Sequence, residues 1–177
     1  MSDLQIASRP ALALRQPFLS ADIEIVPLSE GIVIHVLGKA GDETLPAKLA
    51  AISGNIPHAV RPAGPAQWFI VDDTPKTHRE VTALIDALPP SATGVDQSHG
   101  RVRIGVSGPM VERLLAKGTA VDLALSAFPI GAATTTLIGH IAAHVTRVKS
   151  NMFELMVLRG FAESLWDDLV GMAAEFA

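Results

Sequence analysis

Polar and apolar residues alternate strictly over residues 101–107, so that one face of the segment carries Val102, Ile104 and Val106. This period of two is typical of a half-buried β-strand, because successive side chains point to opposite sides. Gly108-Pro109 ends the strand, since proline has no amide proton to donate to a neighbouring strand. Apolar residues then recur at helical spacing until Lys117-Gly118. The pattern therefore predicts a strand that leads through a tight elbow into a helix.

The chain before this stretch carries a similar succession of elements. Apolar runs predict strands at 23–26, 32–37 and 68–71. A helix capped by Asp42 should end at Gly54, and a second helix should begin at Thr74-Pro75, with threonine as N-cap and proline in the first turn. The buried stripe of the second helix is predicted to be Val81, Leu84, Ile85 and Leu88.

The C-terminal part predicts a β-hairpin followed by an amphipathic helix. Residues 132–137 and 141–148 are strand-like, and a turn at Ser150-Asn151 leads into a third strand at 152–158. Gly160 is expected to cap the last helix, with the Glu163 side chain reaching back to its amide. The apolar stripe of this helix is predicted to be Phe161, Leu165, Leu169, Met172 and Phe176, widened by Trp166 and Val170. Its burial in the core would make Phe161→Ala a costly substitution.

These elements describe a strand–helix–strand–strand–helix unit that is used twice. The predicted fold class is α+β, with antiparallel-rich sheets, helices packed on one side and two related halves, about 23–90 and 95–177. Both halves belong to a single domain, 23–177, preceded by an extended N-terminal arm, 1–22. The part of this arm from Leu4 to Phe18 has apolar residues without periodicity, so we expect it to be disordered or held by a partner.

Composition changes this description in two respects. The 177 residues include no cysteine, which excludes disulfides, thiolate metal sites and cysteine nucleophiles. Charged residues make up only 18%, and the mean hydropathy is +0.35. Two interpretations remain open: a core rich in alanine and valine, or an apolar surface covered by another subunit.

Charge and hydropathy also limit the partners and the location. A net charge of −4 without a basic stripe argues against nucleic-acid binding. The start of the sequence lacks the segments of a signal peptide, and no apolar run approaches the roughly 18 residues of a membrane span. We therefore expect no membrane association and a cytoplasmic location.

The histidines and serines do not form a convincing catalytic or metal-binding pattern. His140 and His144 are four residues apart, but the surrounding threonines and valine favour a strand, on which that spacing separates the rings. Ser98-His99 suggests a nucleophile and its base, yet adjacent strand residues point to opposite faces. A turn in which Asp96 and Ser98 bond to local backbone is the favoured interpretation.

The remaining candidates also have structural explanations. Residues 38–41, Gly-Lys-Ala-Gly, lack both phosphate-loop patterns and indicate a turn. Asp167 and Asp168 are neighbours on the last helix and are interpreted as its solvated face. Trp68 and Trp166 are interpreted as core or interface anchors. We therefore predict no catalytic, cofactor-binding or metal-binding residues on this chain.

Several segments resemble a known family. The segments Val95–Arg101 and Val106–Pro109 resemble the D-x-S-H-x-G and V-x-G-P motifs of the aminomethyltransferase (glycine-cleavage T-protein) superfamily. The later segments Gly118–Leu123, Phe128–Gly131 and Phe161–Leu169 are more specific. Together they resemble the gamma-subunit family of heterotetrameric sarcosine oxidase.

The resemblance implies a fold and a function. The fold would be similar to a folate-binding aminomethyltransferase domain. The complex would oxidatively demethylate sarcosine to glycine and pass the one-carbon unit to tetrahydrofolate. Its FAD, covalently bound FMN, NAD and tetrahydrofolate would lie on other subunits, and the partners of this chain would be the alpha, beta and delta subunits.

One segment departs from the folate-dependent enzymes. Their G-G-x-x-D-D run, which contains an aspartate needed for folate chemistry, corresponds here to residues 139–145, Gly-His-Ile-Ala-Ala-His-Val, without a carboxylate. We therefore expect a non-catalytic subunit of a sarcosine oxidase complex. The alternative is a free-standing folate-binding or aminomethyl-transferring protein.

Overall fold

The computed structural model describes residues 9–177, in which the chain forms two antiparallel sheets with four α-helices. The strands are β1 (Phe18–Leu19), β2 (Glu24–Pro27), β3 (Ile32–Gly38), β4 (Val60–Gly64), β5 (Gln67–Asp72), β6 (Ala92–Asp96), β7 (Arg101–Ser107), β8 (Ala133–Ile138), β9 (Ile141–Lys149) and β10 (Met152–Leu158). The helices are α1 (Leu45–Ile52), α2 (His78–Asp86), α3 (Val111–Ala116) and α4 (Ala162–Ala173). Two 3₁₀ turns, Arg159–Phe161 and Ala174–Phe176, flank α4.

The first half forms a complete βαββαβ unit. Its sheet has the strand order β4-β5-β3-β6, and every neighbouring pair is antiparallel. Helices α1 and α2 pack on one face of this sheet, because the side chains that alternate to that face are apolar. The core between them consists of Ile32, Ile34, Val36, Leu45, Leu49, Ile70 and Val81.

The second half repeats this arrangement, but one of its strands, β2, comes from the N-terminal segment of the chain. Its sheet has the order β1-β2-β7-β10-β9-β8. Strands β9, β10 and β7 occupy the places that β4, β5 and β3 occupy in the first half, and β8 extends the β9 edge. The place beside β7, which β6 fills next to β3, is taken by β2 from the start of the chain. The predicted unit is therefore used twice, as expected.

The boundary between the halves differs from the prediction of 23–90 and 95–177. Residues 24–27 belong to the sheet of the second half, and residues 92–96 complete the sheet of the first. The periodicity of a strand records which of its faces is buried, but its partner strand is chosen by contacts far away in the sequence.

The turn after β7, at Gly108-Pro109, contacts the segment that leads into β2. Gly108 has a φ angle of 127°, and a Cβ atom there would overlap the carbonyl oxygen of Asp22. The same carbonyl accepts a hydrogen bond from the Met110 amide at 3.3 Å. From here β2 runs antiparallel to β7, with Ile25 opposite Val106. Glycine is required at position 108 because only a residue without Cβ permits this approach.

The described part of the N-terminal arm, residues 9–22, lies on the second half. The Leu12 side chain is 4% exposed, and Arg15 Nη2 lies 2.9 Å from Asp167 Oδ2 of α4. The hypothesis that Leu4–Phe18 is disordered or held by a partner therefore differs from the structure for residues 9–18, because one turn directs Leu12 inward. Residues 1–8 lie outside the described residues.

The two sheets pack face to face, and the helices cover their outer faces. On the outer side of the larger sheet, Val102, Ile104 and Val106 join the core formed with α3 and α4. Between the sheets lies a smaller apolar cluster of Val33, Phe69, Val71 and Met156. The predicted α+β class, with helices on one side of each sheet, is confirmed. None of the helices within residues 9–177 is long and apolar enough to cross a membrane.

Helix α2 begins later than the sequence predicted. Its N-cap is Thr77, which forms a capping box with Glu80. Thr74, the predicted cap, instead donates its amide to Asp72 Oδ1 at 2.9 Å. Thr77 displaces Thr74 because a glutamate three residues later satisfies the N-cap amide as well.

The stripe of the last helix is also shifted relative to the prediction. Gly160 does not cap α4, because the 3₁₀ turn precedes it, and Phe161 is 53% exposed. The buried positions shift by one residue only from Phe161 to Ala162 and from Met172 to Ala173. Leu165, Trp166, Leu169 and Phe176 are buried as predicted. The side chains that face the core are Ala162, Leu165, Trp166, Leu169 and Ala173.

Substitutions on α4 test this assignment. Leu165, with 0% exposure, should cost about 2–5 kcal/mol of unfolding free energy when changed to alanine, because a cavity remains. Phe161→Ala, at the exposed position, should change it by less than about 0.5 kcal/mol. Urea unfolding followed by circular dichroism measures both. Equal losses for the two variants would contradict the assignment.

Candidate functional site

The layer between the two sheets contains most of the buried charge. The side chains of β7 and β10 that alternate away from the helices include two arginines and a glutamate, Arg101, Arg103 and Glu154. The sequence pattern suggests that such positions face solvent. In the structure the second sheet covers Arg103 and Glu154, which are 4% and 6% exposed.

Glu154 is bound by arginines from both sheets. Arg61 of β4 donates to both of its carboxylate oxygens, at 2.6 and 3.0 Å. Arg103 Nη1 donates to Oε1 at 3.3 Å, and Arg103 Nη2 donates to Asp73 Oδ1 at 2.6 Å. The bidentate geometry fixes both distance and orientation. This buried charge cluster, Arg61–Glu154–Arg103, therefore joins the sheets, and its carboxylate is occupied by its neighbours.

An aromatic cluster lies beside it. The His144 ring meets the Phe69 ring edge-on at 5.1 Å, and its Nε2 pairs with the Pro62 carbonyl at 2.9 Å. Burial lowers the pKa of His144 to about 4. Its Nδ1 has no hydrogen-bond partner among residues 9–177. The imidazole is therefore neutral near pH 7 and acts as a packed ring with one hydrogen bond.

Arg101 has different surroundings from the other two arginines of this layer. Its guanidinium lies 4.6 Å from the centre of the Phe69 ring, and its Nε donates to Gln97 Oε1. Burial lowers the pKa of Arg101. No carboxylate of residues 9–177 lies within ion-pair distance of this half-buried cation.

The residues considered from the sequence lie apart from one another. His140 is exposed in the β8–β9 turn, whereas His144 is buried in β9. Asp96 Oδ1 accepts hydrogen bonds from the Ser98 amide and hydroxyl at 2.9 and 2.6 Å. Ser98 Oγ in turn accepts from the Val33 amide. The predicted turn is present, and Asp96 bonds to local backbone as expected. The Ser98 hydroxyl differs from the prediction, because it bonds to the distant backbone amide of Val33 in β3.

The other candidates have the predicted structural roles. Residues 39–41 form a turn after β3. Asp167 is exposed and pairs with Arg15, and Trp166 is buried at 3% exposure. Within the described part of the chain, no group of three potential metal ligands comes together.

Sequence reasoning missed the buried charge cluster. A charge at position 154, inside the apolar run 153–157, was the available signal. Arg61 stands in a segment rich in proline, outside the strands that the sequence pattern predicts. Only the packing of one sheet on the other brings these two residues together.

Comparison with solved structures defines the class of fold. A chain of the heterotetrameric sarcosine oxidase from Corynebacterium sp. U-96, in complex with pyrrole 2-carboxylate, superposes with a TM-score of 0.78 at 19% identity. The match covers 96% of each chain. A domain assigned as the C-terminal regulatory domain of aspartate kinase from Porphyromonas gingivalis W83 superposes with a TM-score of 0.51 at 12% identity, covering 88% of this chain and 98% of that one. The protein is thus of the α+β class, with two related units whose antiparallel sheets pack face to face.

The sequence identifies the family more closely than the fold does. Residues 38–175 match the sarcosine oxidase, gamma subunit family. The chain therefore belongs to the sarcosine oxidase gamma subunit family, as its motifs indicated. No curated protein sequence gives a significant match.

Removing the central carboxylate should destabilise the protein. Glu154→Gln would leave Arg61 and Arg103 facing each other, so we expect a loss of about 3–5 kcal/mol in unfolding free energy. Asp167→Asn is the control, because its side chain is 57% exposed and such pairs contribute at most about 1 kcal/mol. Denaturant unfolding compares them, and a similarly small loss for both would contradict a structural role of the cluster.

Acid should destabilise the fold through His144. The pKa of about 4 in the folded chain lies below the ordinary histidine pKa of 6.5, so between these pH values the unfolded chain binds a proton that the folded chain does not. Stability is then fully present above pH 6.5 and falls by roughly 3 kcal/mol on acidification to pH 4. The groups that face the ring are Arg61, Arg101 and Glu154.

The variant His144→Gln isolates this contribution, because glutamine keeps a donor for the Pro62 carbonyl. Urea unfolding of both proteins at pH 7.0, 5.5 and 4.5 should give a steeper pH dependence for the wild type. Parallel pH profiles would show that another group is responsible.

Proposed function

We propose that this chain is the non-catalytic small subunit of a heterotetrameric sarcosine oxidase, assembled with the alpha, beta and delta subunits. The observation that carries the proposal is the family match over residues 38–175. The complex would oxidatively demethylate sarcosine to glycine and transfer the one-carbon unit to tetrahydrofolate. The proposed location is the cytoplasm, without membrane or nucleic-acid partners.

The cofactors of the reaction, FAD, FMN, NAD and tetrahydrofolate, are proposed to lie on the other subunits. The charged groups between the sheets support this division of roles, because Glu154 is bound by two arginines and Ser98 by backbone and Asp96. Residues 139–145 carry no carboxylate with which to perform the proton chemistry of the folate enzymes.

The surface supports an assembled state. Ten large apolar side chains among residues 9–177 are 42–74% exposed, from Leu37 at the lower end to Leu14 at the upper. Single exposed apolar residues are ordinary. Their number on a chain with only 18% charged residues is consistent with burial against larger subunits, the second of the two interpretations that composition left open.

Co-purification and titration test the proposal. The tagged chain, expressed with the neighbouring subunit genes, should retain flavin-bearing chains in equal stoichiometry. The chain alone should show no sarcosine oxidation, no visible flavin spectrum and no saturable binding of tetrahydrofolate at micromolar concentration in isothermal titration. A one-to-one isotherm together with no retained flavoprotein would instead support the free-standing folate-binding or aminomethyl-transferring protein.

A further inference from the structure

The facing surfaces of the two sheets are not covered along their whole length. Where the buried charge cluster lies, the sheets are in contact and the side chains are buried. Beyond it, side chains on the same inner faces are open to solvent. Four of them are large and apolar: Leu37 at 42% exposure, Val95 at 45%, Leu137 at 54% and Leu158 at 49%. We call these four residues, together with Arg101, the open inter-sheet face.

On the larger sheet, this face is a row across four neighbouring strands. Leu158 of β10 stands directly opposite Arg101 of β7. Val157 stands opposite Ala143, so Leu158 is next to Ala142 of β9. Leu137 of β8 is paired with Ala142. Alternation places the row on the face that carries Met156 and His144, which is the face directed at the other sheet.

On the smaller sheet, the face continues over β3 and β6. Val95 stands opposite His35, two residues from Leu37 on the same side of β3. Arg101 connects the two parts, because its guanidinium lies over Phe69. The Gln97 side chain contacts both Arg101 and His35, at 2.5 and 3.5 Å. The open inter-sheet face therefore contains one half-buried cation, which lies between Leu158 of the larger sheet and Phe69 of the smaller sheet.

The charge of Arg101 indicates what would cover this face. Arg61 and Arg103 each lie against a carboxylate, at 2.6 Å in both cases. Arg101 has only an amide oxygen and an aromatic ring among residues 9–177. A cation that is further desolvated by a docking surface requires an opposite charge, since an unpaired buried charge is strongly unfavourable. The complementary occupant is an apolar segment that carries an aspartate or glutamate.

We propose that the open inter-sheet face docks such a segment from another subunit of the complex, with its carboxylate on Arg101 and apolar side chains on Leu158, Leu137 and Val95. This inference rests on the proposed function and adds to it the surface by which the chain binds another subunit. A second copy of this chain fits less well, because a two-fold axis through the face would bring two Arg101 guanidiniums together. A small carboxylate would satisfy Arg101 but leave the row to Leu137 uncovered.

Matched substitutions in the co-expressed complex test the surface. Leu158→Asp and Arg101→Gln should each lower the flavoprotein retained by the tagged chain at least about tenfold, as expected for central interface residues. Leu125→Asp is the apolar control, since Leu125 is 48% exposed against 49% for Leu158. Arg79→Gln is the charge control, because Arg79 is exposed on α2. Both controls should retain flavoprotein as the wild type does.

Hydrogen exchange on the unmodified chain gives a second readout that a folding defect in a variant cannot affect. Amides of β6 and β8 should exchange at least about tenfold more slowly in the complex than in the isolated chain. Acetate at 100 mM, added to the isolated chain, is the small-anion probe and should leave this exchange unchanged.

The outcomes are distinguishable. Full retention by Leu158→Asp and Arg101→Gln, with unchanged exchange in β6 and β8, would overturn the surface but leave the proposed function intact. A wild-type chain that retains no flavoprotein would overturn both. An isolated dimer that Leu158→Asp dissociates without loss of retention would assign the face to a second copy. Protection by acetate with undiminished retention would assign it to a small anion.

Discussion

The ion pair between Arg61 and Glu154 is the contact on which the arrangement of the two sheets depends. It joins β4 of one sheet to β10 of the other with two hydrogen bonds of 2.6 and 3.0 Å, and Arg103 completes the charge balance with Asp73. Apolar contacts in this layer are few, because Val33, Phe69, Val71 and Met156 form its only buried apolar cluster within residues 9–177. Directional bonds therefore set how one sheet lies on the other, since apolar contacts alone are not directional.

Strand β2 makes the sheet of the second half depend on the N-terminal segment of the chain. Because β2 precedes the first half in sequence but pairs with β7 of the second, a cut between the halves would leave the first sheet complete and remove β1 and β2 from the second. Gly108 is the local requirement for this exchange, as its φ of 127° and missing Cβ admit the Asp22 carbonyl. From residue 9 onward, the N-terminal segment is thus held against the second half, with Leu12 in its core and Arg15 paired with Asp167.

The layer between the two sheets contributes to the stability of the protein and also provides the proposed docking surface. At one end, arginine and glutamate are matched and His144 is buried as a neutral ring. At the other end, Arg101 lies over an aromatic ring and has no carboxylate partner among residues 9–177. Apolar residues on the inner faces of both sheets are exposed there. The open inter-sheet face continues the contact surface between the sheets beyond the region where they touch. It is suited to a partner that supplies a carboxylate for Arg101.

The sequence by itself determined the elements, the repeated unit and the family. Alternation over 101–107 and the apolar run over 152–158 predicted strands. Alternation also indicated which face of the first strand is apolar, because side-chain direction in a strand is a local property. It also identified the 96–98 turn from residue chemistry alone. The tertiary structure decided the rest: that β2 joins the second sheet, that Phe161 is exposed, and that the polar face of β7 is covered. The exposure of Phe161 follows from the 3₁₀ turn that precedes α4. The other two depend on contacts between segments distant in sequence, such as Arg61 and Glu154, which are 93 residues apart, and a pattern within one segment does not specify its partner.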